Sequence, residues 1–229
     1  MLFKNPNATH APYPVELAGV LNRETAQKSK QWLSNWPLLN ANATPLWSMT
    51  GTAHALGIET LWIKDESKRS KLGSFKALGA ANALINLILK HFPSFDAEKI
   101  LLGEYREQLA DFAVVSATDG NHGRALAAAA QSSGCPCTIV IHAQVSQERE
   151  NAIAEYGATM VRITGNYDES VEEADRIAKE NGWIVVSDTS YEGYTEIPRD
   201  VMQGYGVMAA ETAEQLEARE QKPTHIILQ

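Results

Sequence analysis

The chain has 229 residues, which allows one large domain or two small ones. Hydrophobic residues make up 44% of it and charged residues 21%, which is ordinary for a globular protein. Its 20 basic and 28 acidic residues give a net charge of −8, which argues against nucleic acid or an anionic membrane as the main partner.

Other sequence features exclude further classes of protein. No apolar run approaches the roughly 18 residues of a membrane span. The first residues hold Lys4 and His10 without the apolar segment of a secretory signal, so we expect a cytoplasmic location. Cys135 and Cys137 stand in Cys-Pro-Cys, which fits neither a disulfide framework nor a redox site, and we expect both to be buried. The six histidines show no metal-ligand spacing, so we expect no metal.

The first predicted elements are a helix at residues 24–36, a short strand at 61–63 and a helix at 74–90. From there on, strands and helices alternate. Strands are predicted at residues 112–116, 138–141, 159–163, 183–186 and 225–228. Helices are predicted at residues 122–132, 146–156, 168–180 and 198–220, the last with Pro198 near its N1 position.

This alternation predicts an α/β fold, with parallel, doubly wound sheets flanked by helices on both faces. Such sheets bind ligands at the carboxyl ends of their strands, so the polar segments that follow strands are the candidate functional loops.

A lysine at the start of a predicted helix is the first candidate for chemistry. Lys76 closes the segment Lys-Leu-Gly-Ser-Phe-Lys that begins at Lys71. The positive helix end, with Lys68, Arg69 and Lys71 if they lie close, would lower its pKa. A neutral amine is what Schiff-base chemistry needs. A lone lysine here would by default be a surface residue of an amphipathic helix.

Two polar segments follow predicted buried strands. Ser-Ala-Thr-Asp-Gly-Asn-His-Gly-Arg at residues 116–124 includes Asp119 and Asn121, and it leads into a helix whose N-terminus favours anions. Plain N-capping by Asp119 or Asn121 is the simpler alternative. The second segment, residues 187–194, contains Asp188, which we expect to point into the same crevice as Asp119. Its simpler alternative is a solvated carboxylate in a loop.

These segments together resemble the fold-type II pyridoxal-phosphate enzymes, the group of tryptophan synthase β and threonine dehydratase. The motifs that carry this are Ser-Phe-Lys before a helix and Asp-Gly-Asn-His-Gly-Arg. The runs Tyr-Thr-Glu-Ile-Pro at 194–198 and Met-Gln-Gly-Tyr-Gly at 202–206, with Thr118 before Asp119, resemble the diaminopropionate ammonia-lyase subfamily. The resemblance covers residues 47–229.

The resemblance implies roles for individual residues. Lys76 would carry pyridoxal 5′-phosphate covalently and act as base for an L-substrate. Asp119 would be the base for a D-substrate, and Asp188 would bind the amino groups of a small amino-acid substrate. Asn121 would donate a hydrogen bond to the phenolic oxygen of the cofactor. The neighbouring cofactor-binding positions would be Phe75, Gly120 and His122.

The resemblance also implies how the chain is organised. Residues 1–75 would begin a large domain, residues 76–195 would form a smaller α/β domain, and residues 196–229 would return to the large one. The family continues after the strand matching 225–228 into a Gly-rich phosphate loop, so we expect this chain to be an N-terminal portion with the C-terminal part missing. The full-length form would be a homodimer.

The implied reaction is α,β-elimination of ammonia from 2,3-diaminopropionate. Two alternatives stay open. One is a related enzyme of the serine or threonine dehydratase kind, because the segment Lys71–Lys76 is closer to the general fold-type II pattern. The other is an inactive fragment that acts only through protein contacts, for example across an exposed sheet edge.

Overall fold

The computed structural model describes residue 6 and residues 11–228 of the chain. Within these the strands, in chain order, are β1 (Leu46–Ser48), β2 (Trp62–Lys64), β3 (Val114–Ala117), β4 (Cys137–Ile141), β5 (Thr159–Arg162) and β6 (Ile184–Val185). The helices are α1 (Val15–Ala18), α2 (Arg23–Leu33), α3 (Thr50–Leu56), α4 (Lys76–His91), α5 (Ala97–Ile100), α6 (Asn121–Ser133), α7 (Gln147–Ala154), α8 (Tyr167–Asn181) and α9 (Glu196–Glu217). A 3-10 helix, Glu66–Lys68, follows β2.

Strands β3 to β6 form a parallel sheet in the order β5-β4-β3-β6. Every residue of β3 and β4 is buried, as expected for strands covered on both faces. The chain runs outward from β3 through β4 to β5, and it then returns to place β6 on the other side of β3. The strand order therefore reverses beside β3. In α/β sheets such a reversal is where ligands bind, outside the carboxyl ends of the strands.

Helices cover both faces of this sheet, which confirms the predicted doubly wound arrangement. On one face α4 packs between α6 and α9, and its residues 77–85 are all buried. On the other face α8 contacts β3 and β4, with Ala174 and Ala178 packed against Val115 and Val140. The small alanines let the helix approach the sheet closely.

Two glycines bring α4 and α9 into close contact. A Cβ atom added at Gly204 would lie 2.3 Å from the carbonyl oxygen of Leu78, and one added at Gly79 would lie 2.3 Å from Cε1 of Tyr205. Both distances are far below van der Waals contact, so side chains at these positions would push the helices apart. The glycines thereby seat the Tyr205 ring directly against the first turns of α4.

A separate pair of strands lies before α4. β1 and β2 pair antiparallel, with Trp47 opposite Ile63. The predicted strand at 61–63 is therefore present, but it does not belong to the parallel sheet. A buried ion network ties the pair to α9: both carboxylate oxygens of Glu211 accept hydrogen bonds from Arg69, and Lys64 Nζ lies 3.1 Å from one of them. Only 1% of the Arg69 side chain and 2% of the Glu211 side chain are exposed.

One predicted strand is wrong. Residues 225–228 form no strand, because no neighbouring strand of the described chain pairs with them, and Ile226, Ile227 and Leu228 are 77%, 90% and 82% exposed. Pro198 lies near the N1 position of α9, as predicted, since the helix begins two residues earlier at Glu196. Proline is tolerated there because the first N–H groups of a helix have no partner within it. No helix in the described ranges is long and apolar enough to cross a membrane.

Candidate active site

Lys76 and Asp188 form the centre of the candidate site. Lys76 is the first residue of α4, with Phe75 in the N-cap position, and Asp188 follows β6. The Lys76 amine lies 2.6 Å from Oδ2 of Asp188. The two side chains are 27% and 22% exposed, so they keep some access to solvent but are largely withdrawn from water. The fold thus joins two predicted catalytic residues that are far apart in the sequence.

The pKa of Lys76 is raised, not lowered as the sequence suggested. Burial is the largest single influence and lowers it, but the hydrogen bond and charge of Asp188, together with Tyr205, outweigh burial. Arg69, which would lower the pKa of Lys76 only if it lay close, is neutralised by its buried pairing with Glu66 and Glu211. Burial also acts to raise the pKa of Asp188, yet the positive groups beside it lower that pKa overall. Lys76 is therefore held as an ammonium ion.

The turn between β3 and α6 has the predicted polar residues but not the simple capping arrangement. Gly120 is the N-cap of α6, and no side chain caps the helix within the described part of the chain. Asn121 is the first helical residue and is exposed. The backbone N–H of Gly120 donates to Oγ1 of Thr118 at 3.4 Å. Capping by Asp119 or Asn121 is therefore excluded, and the first turn is open to a polar ligand atom.

Asp119 has a different charged neighbour from the Lys76–Asp188 pair. Its side chain is 51% exposed, and its Oδ2 lies 3.8 Å from Nε2 of His142. The backbone N–H of Gln144 donates to Nδ1 of His142 at 3.3 Å, so the neutral ring carries its proton on Nε2, towards Asp119. Among the described residues Asp119 forms no ion pair with Lys76.

His122 is the third member of the Lys76–Asp188 cluster. Its side chain is 3% exposed; Nε2 lies 3.0 Å from the carbonyl oxygen of Val186, and Nδ1 lies 3.8 Å from Oδ2 of Asp188. The Nε2–H donates to that carbonyl, which leaves a lone pair on Nδ1 of the neutral ring. Burial, the largest influence, lowers the pKa of His122. Nδ1 of His122 and Oγ of Ser116 are buried without a hydrogen-bond partner among the described residues.

Tyr205 is the residue that sequence reasoning missed as part of the site. Its ring packs edge-to-face on Phe75, with the centroids 5.0 Å apart and the planes at 74°. The Lys76 amine lies 5.3 Å from the Tyr205 centroid and 5.5 Å from the Phe75 centroid. Tyr205 comes from the middle of α9, so no local pattern connects it to Lys76. The usable signal was an aromatic residue flanked by Gly204 and Gly206 inside a helix, which indicates close packing.

The described residues contain no group of three or more histidine, cysteine or acidic residues that could hold a metal ion. Cys135 and Cys137 are buried free thiols, as predicted. Burial raises their pKa values to about 11 and about 12, so neither thiol is a nucleophile at neutral pH. The polar chemistry of the crevice rests on the lysine, the carboxylates and the histidine.

Known proteins are similar to this chain in sequence and in fold. The chain is similar to diaminopropionate ammonia-lyase of Escherichia coli strain K12, with 38% identity over 187 residues, 81% of this chain and 47% of that protein. The apo crystal structure of the Escherichia coli diaminopropionate ammonia lyase has a TM-score of 0.84 at 34% identity, covering 91% of this chain and 57% of that one. The same enzyme in complex with an aminoacrylate-PLP azomethine reaction intermediate gives 0.81 at 35% identity, covering 90% and 51%.

The chain spans about half the length of the curated relatives it matches. The profile of the pyridoxal-phosphate dependent enzymes matches residues 38–229, which include Lys76, the turn at Asn121 and Asp188. The matched segment therefore carries the whole cluster described above, from the start of α4 to the middle of α9. By its sequence, its fold and these matches, the chain belongs to the pyridoxal-phosphate dependent enzyme family.

Proposed function

We propose that this protein is a pyridoxal-phosphate-dependent lyase that removes the β-amino group of 2,3-diaminopropionate as ammonia by α,β-elimination. Water then hydrolyses the aminoacrylate product to pyruvate and a second ammonia. The single observation that carries the proposal is the Lys76 amine paired at 2.6 Å with Asp188, beside the reversal of strand order. The similarity to diaminopropionate ammonia-lyases supports the choice of substrate.

The residues of the crevice fit the cofactor. Lys76 is the primary amine that would bond it, and Phe75 lies against that amine. The N-terminal turn of α6, at Gly120 and Asn121, offers donors to an oxygen of the cofactor. The buried Nδ1 of His122 lacks a hydrogen-bond partner among the described residues, and a polar group entering the crevice would supply one. When bound, the cofactor supplies a ring that stabilises negative charge on the substrate Cα.

The acid–base work falls to three side chains. Lys76 would take the Cα proton of an L-substrate, and Asp119 would take that of a D-substrate from a different side of the crevice. Asp188 is ionised at neutral pH because its pKa is lowered, so it can bind a substrate ammonium group. The different neighbours of the two bases, Asp188 for Lys76 and His142 for Asp119, support this division.

The test is the visible spectrum of the purified 229-residue chain mixed with pyridoxal phosphate. We expect an absorbance band that disappears in Lys76→Ala and persists in Lys71→Ala, where an exposed lysine of the same segment is removed. Pyruvate formation from D- and L-diaminopropionate would then be assayed. A spectrum that does not depend on Lys76 would refute cofactor binding at this site.

A second candidate is a lyase that acts on serine or threonine. The segment Lys71–Lys76 favours it, because its residues follow the general fold-type II pattern more closely than the ammonia-lyase pattern. The two functions differ in the leaving group, which is an amine in one and a hydroxyl in the other. A panel of D- and L-isomers of diaminopropionate, serine and threonine at equal concentration separates them by their kcat/KM ratios.

We also propose that the protein forms a homodimer. Four large apolar side chains near the β1–β2 pair support self-association, since Trp47, Leu56, Ile58 and Ile63 are 45% to 64% exposed. Sedimentation equilibrium over a range of concentrations measures the assembly state. A monomer at all concentrations would contradict the proposal for this chain.

A further inference from the structure

We propose that the buried hydroxyl of Tyr205 is a second polar partner of the Lys76 amine, beside Asp188, and holds that amine in position in both its charged and its neutral form. Tyr205 would thus be a positioning residue for the reacting lysine. The inference rests on the proposed function, in which Lys76 must react as a neutral amine. It extends that function by assigning to α9 a role in the chemistry.

The Tyr205 hydroxyl is not engaged by any other group in the described part of the chain. The Tyr205 oxygen is buried, and no hydrogen-bond partner satisfies it among the described residues. A buried hydroxyl without a hydrogen-bond partner destabilises the folded state. Its position beside an amine that changes its protonation state therefore indicates a functional contact between the two groups. The Lys76 amine, 5.3 Å from the Tyr205 ring centroid, is the charged group next to it. The two groups interact, because Tyr205 acts to raise the pKa of Lys76 and Lys76 acts to lower that of Tyr205.

The chemical argument concerns what each partner of Lys76 can do. An ionised carboxylate only accepts hydrogen bonds, so Asp188 stabilises the ammonium form and offers nothing to the lone pair of a neutral amine. A tyrosine hydroxyl both donates and accepts. Tyr205 can therefore accept from the ammonium ion and donate to the neutral amine. It is the partner that remains useful after Lys76 loses its proton.

The packing holds Tyr205 in the required place. Gly79 leaves room for the ring, because any Cβ there would lie 2.3 Å from Cε1 of Tyr205. Phe75 fixes the plane of the ring through the edge-to-face contact. The charged and titratable groups that face Lys76 come from three elements: Asp188 after β6, His122 on α6 and Tyr205 on α9. Of these, the aromatic hydroxyl can be removed with the least change in shape.

The experiment compares the 229-residue chain with Tyr205→Phe, without cofactor. Limiting acetic anhydride at pH 8.5 acetylates only neutral amines, and peptide mass spectrometry gives the ratio of modified Lys76 to modified Lys71. A hydrogen bond to an ammonium ion is stronger than one to a neutral amine, so loss of the hydroxyl should lower the pKa of Lys76 by about half to one unit while the Asp188 and ring contacts stay. Acetylation of Lys76 should therefore be about 3- to 10-fold faster. A ratio unchanged from the parent would overturn the proposal.

Two controls separate this effect from structural loss. Tyr105→Phe removes another hydroxyl, one that accepts from the Asp96 backbone N–H far from the site, and it should leave the ratio unchanged. In an Asp188→Asn background the effect of Tyr205→Phe should differ from its effect alone, because the two partners share one amine. Strictly additive effects would also overturn the proposal. Neither readout needs lyase activity, so failure of the proposed function shows separately, as the absence of a Lys76-dependent visible band.

Discussion

Arg69 and Glu211 meet through two parallel hydrogen bonds, Nη1 to Oε1 at 3.0 Å and Nη2 to Oε2 at 2.7 Å. This fork geometry is the strongest form of an arginine–carboxylate contact. Lys64 adds a second cation on the same carboxylate. The pair is almost fully withdrawn from water, and Arg69 also pairs with Glu66, so removing Glu211 leaves two cations, Arg69 and Lys64, with Glu66 as the remaining carboxylate of the network.

Replacing Glu211 by Leu should therefore lower the free energy of unfolding by about 3 to 5 kcal/mol, measured by urea denaturation. The matched control is Glu217→Ala on the same helix, which removes the pairing with Arg23. That pair is 66% and 58% exposed, so its loss should leave the urea midpoint within experimental error. Equal losses in the two variants would show that burial of the network contributes nothing.

A pH-dependent effect is expected at Asp200 of α9. Burial, with the nearby charge of Glu196, raises its pKa to about 6. A raised carboxyl pKa favours the folded state only while the group is protonated, so that stability is lost as the pH rises from about 4 to about 6. Asp200→Asn should thus gain about 1 kcal/mol at pH 7.5, less than the shift alone implies because the carboxyl keeps some contact with water. The gain should vanish near pH 4; a gain of the same size at both values would exclude this cause.

The glycines of α9 should differ sharply in their tolerance of alanine. Gly204→Ala places a methyl group 2.3 Å from the Leu78 carbonyl oxygen, so it should destabilise the protein by about 1 to 3 kcal/mol. Gly206→Ala meets only the Ala26 Cβ at 3.4 Å and should be neutral or stabilising, by up to about 1 kcal/mol through helix propensity. The free energies of unfolding of the two variants are compared by thermal or urea unfolding. Equal destabilisation would mean that the close contact with α4 is not the cause.

At the candidate site, Asp188→Asn should lower the pKa of Lys76, because the variant loses the charge that holds the amine as an ammonium ion. Acetylation of Lys76 should become faster, while pyruvate formation from diaminopropionate falls by at least about 100-fold. Glu192→Gln, which alters an exposed carboxylate of the same loop, is the control and should change neither quantity. If both variants kept full activity, Asp188 would have no part in the reaction.

The parallel sheet and its helices could be predicted from the sequence because each strand and helix shows its own pattern of apolar residues. The strands of the sheet are continuous apolar runs, and the helices have apolar residues at helical spacing. The predicted bounds of these elements differ from the observed ones by at most three residues at either end. Strand β1 could not be predicted, since its three residues have no periodicity and exist as a strand only by pairing with β2. The same dependence explains the failure at residues 225–228, where an apolar run lacks a paired neighbour among the described residues.

The candidate site was predictable where a motif follows a strand, as for Asp119 and Asp188, or begins a helix, as for Lys76. What the sequence could not show is which of these meet. The Lys76–Asp188 contact, the place of Asp119 beside His142 and the contribution of Tyr205 all depend on how distant segments pack. The direction of the Lys76 pKa was wrong for the same reason: a carboxylate delivered by the fold outweighs the helix end and the burial.

Helix α9 is held at two points around its circumference. Tyr205 lies against Lys76, and Glu211 is clamped by Arg69. Six residues at 3.6 per turn set these two side chains roughly 120° apart in azimuth, on one stiff cylinder. A twist of the helix about its long axis would carry both away from their partners at once. The ion network near the β1–β2 pair thereby fixes the angle at which the Tyr205 ring meets Lys76.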